Sequence, residues 1–146
     1  MAPPSRADLV LAAMSPARCA GFQPVQVQKL FFLIDEKLSS ELGKSYFAFA
    51  PYDYGPFDKD VYVVLEELES KGLVRIGRAS SRGGRVYNLT EAGQARGTRA
   101  LEQLDQRARN GIETLSKWVH SMSFADLVSA IYKAYPDMKI NSVFSE

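Results

Sequence analysis

The stretch DKDVYVVLEELESKGLVRIGRASSRGGRVYNLTEAG, residues 58–93, most restricts how the chain can fold. Apolar residues recur at helical spacing in its first part, and Lys71-Gly72 ends the pattern. These residues are Val61, Val64, Leu65 and Leu68. LVRI and VYNL are typical of strands on either side of a turn, and Thr90 suits the cap of a further helix. The order helix, strand, turn, strand, helix predicts a two-stranded hairpin directly behind a helix.

The residues ahead of this stretch predict two helices. Residues 1–5 have the composition of a disordered lead, and residues 6–14 follow as a short helix. Pro24 suits the first turn of a longer helix, and Gly43 suits its end. Its apolar positions at helical spacing are Val27, Leu30, Phe31, Ile34 and Leu38, widened by Phe32 and Leu33. We therefore expect this second helix to lie at the centre of the core.

An aromatic segment joins that helix to residues 58–93. Residues 46–54, YFAFAPYDY, are typical of a short edge strand. Six aromatic residues lie between positions 46 and 57, a number that suits stacking on single-stranded bases. No basic residue is interleaved after Lys44, however, which favours packing beneath the neighbouring helices. Pro56 disfavours helix at Gly55 and Asp58 can cap the next helix, so YGPF is interpreted mainly as a helix entrance.

The last third predicts more helices, over residues 91–135. Apolar residues keep three- and four-residue spacing from Gly97 to Met122, and Asn110-Gly111 marks a break between two helices. Ser123 opens the last helix as a cap, and Pro136 lies just beyond its end. These C-terminal helices either complete the core or form the seam of a homodimer. The fold class predicted is α+β, mostly α, with residues 6–146 as one domain.

Composition excludes several functions. The formal net charge is +1, so a nucleic-acid role must rest on a local patch. No signal-peptide core and no run of 18 apolar residues is present, so we expect a soluble, cytoplasmic protein. A single Cys19 and a single His120 leave no disulfide and too few ligands for structural zinc. No local signature supports the two as a nucleophile and base, and a buried, inert cysteine with a helix-end histidine is expected.

Enzymatic chemistry has no candidate residues. The only glycine pair, Gly83-Gly84, sits between two arginines in a turn and does not match a phosphate-binding loop. No pair of carboxylates stands out for general acid-base catalysis. We therefore expect no enzyme, no cofactor and no metal.

The run VLEELESKGLVRIGRASSRGGRVYNLTEAGQA resembles the recognition helix and wing of winged-helix regulators such as the MarR and PadR families. The wing would span residues 73–89. QKLFFLIDEKL followed by YGPF, together with the C-terminal AIYKAYPDMKINSVF, is similar to small bacterial proteins of the YwgA type. The same arrangement resembles, more distantly, Panacea or SocA-like antitoxin domains. This resemblance implies a winged helix-turn-helix with additional C-terminal helices, and either DNA or a protein such as a toxin as partner.

The distribution of charge supports two different hypotheses. Residues 72–90 carry four arginines and no acid, a local net charge of +4, which suits contact with phosphates. Lys59 and Tyr62, on the exposed side of the preceding helix, could reach bases or phosphates. The predicted DNA-binding set is therefore Lys59, Tyr62, Arg75, Arg78, Arg82 and Arg85, in a transcriptional regulator that dimerises through its terminal helices.

Residues 58–71 favour the alternative. Their net charge is −3, which is unusual for a helix that enters the major groove. A winged helix that serves as a protein-interaction module, such as an antitoxin or a phage-defence component, would account for this acidity. Its partner would bind an aromatic and acidic surface formed by Tyr52, Tyr54, Phe57 and Tyr62.

Overall fold

The computed structural model describes residues 2–78 and 84–145. These residues form a mostly helical α+β structure. Its α-helices are α1 (Arg6–Met14), α2 (Pro24–Leu42), α3 (Lys59–Ser70), α4 (Glu91–Glu102), α5 (Gln106–Ser121) and α6 (Phe124–Ala134). Its strands are β1 (Ala50–Tyr52), β2 (Gly55–Phe57), β3 (Val74–Arg78) and β4 (Arg85–Leu89). Short 3-10 turns follow α1 and α6, over Ser15–Ala17 and Pro136–Lys139.

The helix ends follow the capping residues of the sequence. The predicted caps of α3, α4 and α6 are confirmed, since the side chains of Asp58, Thr90 and Ser123 each accept a hydrogen bond from a first-turn amide. Helix α2 starts at Pro24 and ends at Leu42, where Gly43 caps it with a left-handed φ of 87° that suits glycine. Local chemistry therefore sets most of the helix boundaries.

The predicted hairpin behind α3 is also confirmed. Strands β3 and β4 pair antiparallel, with Val74 opposite Leu89, Ile76 opposite Tyr87 and Arg78 opposite Arg85. The other edge of β4 is paired as well, because Phe22 and Tyr87 exchange two backbone hydrogen bonds of 2.9 Å. The segment between α1 and α2 thus acts as a third, minimal strand beside the hairpin.

The C-terminal helices complete the core of the chain. Helix α5 packs on α2, and α4 packs on α1. The Ser116 hydroxyl of α5 donates a 2.6 Å hydrogen bond to the carbonyl oxygen of Ala13 in α1. The apolar side chains that could have formed a dimer seam are buried in the chain itself: Leu101, Leu104, Ala108, Ile112, Val119, Leu127, Val128 and Ile131. These apolar faces therefore belong to the core of the chain, and a homodimer stays a prediction.

The predicted break at Asn110-Gly111 is wrong. Helix α5 runs through both residues, and the interruption lies at residues 103–105, where Asp105 caps the new helix. The glycine has a packing role, since a Cβ on Gly111 would lie 2.6 Å from Leu38 Cδ2 of α2. Helices α2 and α5 can therefore approach closely at this point.

The aromatic segment also differs from the predicted edge strand. Within it only Ala50–Tyr52 is a strand, and it pairs with Gly55–Phe57, so YGPF forms a strand as well as the entrance to α3. Residues 46–48 instead donate their amides to side chains: Asp35 accepts from Tyr46 and Phe47, and Asp58 accepts from Ala48. Because carboxylates already satisfy these amides, no partner strand is needed there.

Part of the predicted lead, residues 1–5, is held against the rest of the chain. Ser5 caps α1, and the Pro4 carbonyl oxygen accepts a 2.7 Å hydrogen bond from the Tyr46 hydroxyl. Within the described residues, no helix combines the length and the apolarity needed to cross a bilayer.

Replacing Gly93 by Ala tests the contact between α4 and Leu73, the residue just before β3. The new Cβ would overlap the carbonyl oxygen of Leu73, a backbone atom that can retreat only if the hairpin moves. We expect the free energy of unfolding to fall by about 3 kcal/mol, measured by urea denaturation. Gly77→Ala is the matched control, because a Cβ there meets no atom within 4 Å. Equal stability of the two variants would contradict this packing.

Candidate functional site: an aromatic groove

The β1–β2 hairpin forms one wall of a concave surface. Its two-residue turn, Asp53 and Tyr54, projects both side chains to the surface, and Gly55 adopts a φ of 100° that suits glycine. The adjoining cavity has a volume of about 700 Å³, which lies in the range of ligand-binding clefts. We call it the aromatic groove. Its lining residues are Gln23, Pro24, Val25, Gln28, Lys29, Tyr52, Asp53, Tyr54, Gly55, Phe57, Tyr62, Gly84, Arg85, Val86 and Phe124.

A first row of rings runs from the hairpin to the β4 strand. The Tyr52 and Phe57 rings stack with centroids 5.0 Å apart, diagonally across the strand pair above Gly55. The Phe57 ring meets Tyr62 edge to face at 5.7 Å, and Tyr62 stacks on Tyr87 at 6.0 Å. These spacings are those at which aromatic pairs attract each other. The row therefore connects β1, β2, α3 and β4, with Tyr52, Phe57 and Tyr62 in the groove lining and Tyr87 buried behind them.

A second row of rings starts in the groove lining with Tyr54 and Phe124 and continues into the chain through Phe144 and Tyr132. The Tyr54 ring meets Phe124 of α6 edge to face at 5.1 Å, and Phe124 meets Phe144 at 6.0 Å. Phe144 also contacts the Tyr132 ring at 6.4 Å. The C-terminal segment is held against the hairpin by a 2.9 Å hydrogen bond from the Val143 amide to the Asp53 carbonyl oxygen. The two rows bring together residues that are up to 92 positions apart, Tyr52 and Phe144.

Polar side chains of α2 form the floor of the groove and hold its hairpin. The Gln28 amide donates from Nε2 to the Asp58 carbonyl oxygen at 3.0 Å and accepts from the Asp58 amide at 2.9 Å. Lys29 Nζ donates to the Pro56 carbonyl oxygen at 3.2 Å. The partners of Gln28 and Lys29 are all backbone groups of Pro56 and Asp58, where β2 passes into α3. These two side chains therefore fix where α3 begins.

Lys29 is the charged group most removed from water here, with 3% of its surface exposed. Burial disfavours the ammonium form and lowers its pKa from 10.5 to about 8. No carboxylate of the described residues lies within salt-bridge distance of its Nζ. At neutral pH the amine is thus a mostly protonated cation in an apolar site without a counter-ion.

The rim of the aromatic groove near the β3–β4 hairpin also carries charged side chains. The Arg85 guanidinium lies 3.6 Å from a Glu66 carboxylate oxygen, in an exposed ion pair between β4 and α3. The neighbouring Tyr87 side chain raises the pKa of Arg85. Burial, followed by the neighbouring Tyr87, raises the pKa of Tyr62 to about 12, so its hydroxyl stays neutral. The rim is therefore a mixed polar edge around an aromatic interior.

The residues predicted for a protein partner all line the groove: Tyr52, Tyr54, Phe57 and Tyr62. The residues predicted for DNA are distributed differently. Cross-strand pairing places Arg78 and Arg85 on the sheet face of Ile76, and Arg75 on the opposite face. Lys59 is exposed at the start of α3, and Arg82 lies outside the described residues.

The prediction of a buried cysteine is wrong. Cys19 is exposed and has a left-handed φ of 67° in the loop before α2. His120 lies in the last turn of α5, where its Nε2 is 3.0 Å from the Gly21 carbonyl oxygen and its ring packs on Phe22. The described residues contain no cluster of three or more histidine, cysteine or acidic side chains that could hold a metal.

The sequence prediction did not include Gln28, Lys29 and Phe124. One signal was present for Lys29, since it lies four residues after Val25 and three before Phe32, within the apolar face of α2. No such signal exists for Phe124, which appears in the sequence as an ordinary apolar residue of the last helix.

Comparison with models of known protein families found no match, and comparison with curated proteins found none either.

Replacing Lys29 by Met tests the desolvated amine. Because the native state binds this proton less tightly than the unfolded chain, the penalty is complete below pH 8 and is relieved as the pH rises toward 10.5. The advantage of Lys29→Met over the wild type in unfolding free energy should therefore shrink by about 2 kcal/mol from neutral pH to about pH 9.5. Urea denaturation at both pH values measures it. Lys59→Met, at an exposed lysine, is the control, and an advantage that does not change with pH would contradict the assignment.

Proposed function

We propose that this chain is a non-enzymatic interaction protein with a winged-helix-like fold, and that a partner protein docks in the aromatic groove. The observation that carries the proposal is the convergence of Tyr52, Tyr54, Phe57 and Tyr62 on one concave surface. Tyr52 and Tyr54 remain 56% and 43% exposed although they adjoin other rings. Tyrosine and phenylalanine are frequent energetic anchors of protein interfaces, and contiguous exposed rings are uncommon elsewhere on a protein surface.

The groove is also preformed, which favours binding. Gln28 and Lys29 fix the backbone of the hairpin through hydrogen bonds, and the rings of the first row hold one another. A partner would therefore lose little free energy in ordering this surface.

The order of elements supports a winged-helix-like fold. Helix α1, the bridging segment at Phe22, helices α2 and α3, and strands β3 and β4 follow one another in the chain, and Phe22 pairs with β4. In a DNA-binding member of such a fold, α3 would enter the major groove. Its outward face carries the exposed acids Glu66, Glu67 and Glu69, which phosphates would repel. This acidity favours a protein partner.

A DNA-binding regulator is the second candidate, and one observation favours it. Arg78 and Arg85 face each other across the strand pair at the distal end of the hairpin, within a segment, residues 72–90, that contains no acid. Two guanidinium groups on one face suit contact with adjacent phosphates. This regulator would use the hairpin arginines and Lys59, and would act as a homodimer.

Removing the exposed rings tests the first candidate. Tagged wild type and a Tyr52→Ala/Tyr54→Ala variant would be used to capture partners from a lysate of the source cells. Any protein lost by the variant would then be purified and titrated calorimetrically. We expect the dissociation constant to rise about thirtyfold, the effect of losing a hot spot of about 2 kcal/mol.

Trp118→Ala is the matched control for this variant. Trp118 is 39% exposed, similar to Tyr54, but it lies on α5 and does not line the groove. Thermal melting would show that both variants are folded. An equal effect of Trp118→Ala, or an unchanged dissociation constant, would exclude the groove as the docking site.

A salt series on a labelled duplex tests the second candidate. About four neutralised phosphates give a log-log slope of affinity against salt near −3.6. Replacing Arg82 and Arg85 by Ala should flatten this slope by about two units in fluorescence anisotropy. Gly77→Ala, which removes no charge from the hairpin, should leave the slope unchanged. An unaltered slope in the arginine variant would remove the hairpin from the DNA site.

A further inference from the structure

Lys29 has hydrogen-bonding capacity that the protein itself does not use. An ammonium group has three N–H donors, and within the described residues Nζ donates to one acceptor, the Pro56 carbonyl oxygen, at 3.2 Å. No described acid pairs with it, although 97% of its surface is removed from water. Buried ammonium groups are normally paired and hydrogen-bonded, because solvation by water has been lost. The unused donors therefore favour an anion as neighbour.

The space for such an anion lies in the aromatic groove. Lys29 lines the groove, and Gly55 stands beside it without a side chain. A Cβ on Gly55 would lie 3.7 Å from Lys29 Nζ and 3.1 Å from Tyr132 Cε1. A larger residue at this position would therefore press on the Tyr132 ring and cover part of Lys29.

The charges around the groove complement one negative group. Among the described residues, its lining holds two cations, Lys29 and Arg85, and one acid, Asp53. Arg85 is partly neutralised by Glu66, whereas Lys29 has no counter-ion among the described residues. A ligand with one carboxylate and apolar flanks would match this arrangement, since the flanks would contact the two rows of rings.

We infer that the aromatic groove captures an acidic peptide segment of the partner protein, with one carboxylate on Lys29 and a neighbouring apolar or aromatic side chain between the two rows of rings. This inference rests on the proposed docking function and adds the chemistry of the partner. A peptide fits better than a small molecule because Tyr52, Tyr54 and Phe124 remain exposed along the rim and would contact a chain that continues beyond the groove.

The experiment uses a phage-displayed library of random dodecapeptides, selected on the full-length chain. Selected peptides should share an Asp or Glu next to an apolar or aromatic residue. One of them is then synthesised in its acidic form and with the acid replaced by Asn or Gln. Both forms are titrated against the wild type, Lys29→Met, Tyr54→Ala and Lys59→Met. The last variant removes an exposed lysine outside the groove and is the matched control.

The inference predicts a specific coupling. Neutralising the peptide acid should weaken binding to the wild type about tenfold or more, since a charge-assisted hydrogen bond is lost. The same change should have little effect on binding to Lys29→Met, whereas Lys59→Met should behave as the wild type. The comparison of the acidic and neutral peptides on the wild-type protein needs no variant, so it tests the inference even where a variant folds poorly.

The other outcomes separate the inference from the function on which it rests. Two outcomes would overturn the inference and leave the docking function standing. In the first, the peptides lose affinity for Tyr54→Ala but share no acid. In the second, they bind Lys29→Met as tightly as the wild type. Peptides indifferent to Tyr54→Ala, or a selection that enriches none, would overturn both.

Discussion

Two hydrogen bonds between the Gln28 side chain and the backbone of Asp58 hold the β1–β2 hairpin on α2. They lie where β2 passes into α3, so they fix both the position of this hairpin and the start of α3. Asp58 in turn caps α3 and accepts the Ala48 amide, which ties the aromatic segment to the same point. Loss of the Gln28 amide would leave a partly buried donor and acceptor unpaired, which costs more than the net value of either bond. The junction of β2 and α3, which positions Phe57 and Tyr62, is therefore held by Gln28 together with the bond from Lys29 to Pro56.

Lys29, the next residue, serves the fold less well than an apolar side chain would. It holds the Pro56 carbonyl oxygen, but it also places a cation where water is almost excluded. Replacement of unfavourable buried charge by a well-packed apolar residue commonly leaves stability unchanged or improved. Residues that break the local rules of folding are concentrated at functional sites. In this chain the exception lies at the floor of the aromatic groove, which is the surface proposed for the partner.

The helices and the β3–β4 hairpin were predictable because their signals are local. Capping residues such as Asp58, Thr90 and Ser123 lie next to the helices they begin. The β1–β2 hairpin was not, because Pro51 and Pro56 stand opposite each other and proline argues against a strand. The groove could be predicted only in part. Four of its aromatic residues lie within a short stretch, from Tyr52 to Tyr62. Phe124 reaches them only through tertiary packing, and for Lys29 the sequence shows only its place on the apolar face of α2.

Arg85 connects the two candidate functions. It belongs to the hairpin that would contact DNA, and it also lines the aromatic groove. Its ion pair with Glu66 is exposed and therefore contributes little to stability, so either a phosphate or a partner's carboxylate could replace it at small cost. A protein that fills the groove would contact this arginine and reduce the positive charge of the hairpin. Occupancy of the groove and binding of DNA would therefore compete for the same guanidinium group, and a chain with both activities could not exercise them independently.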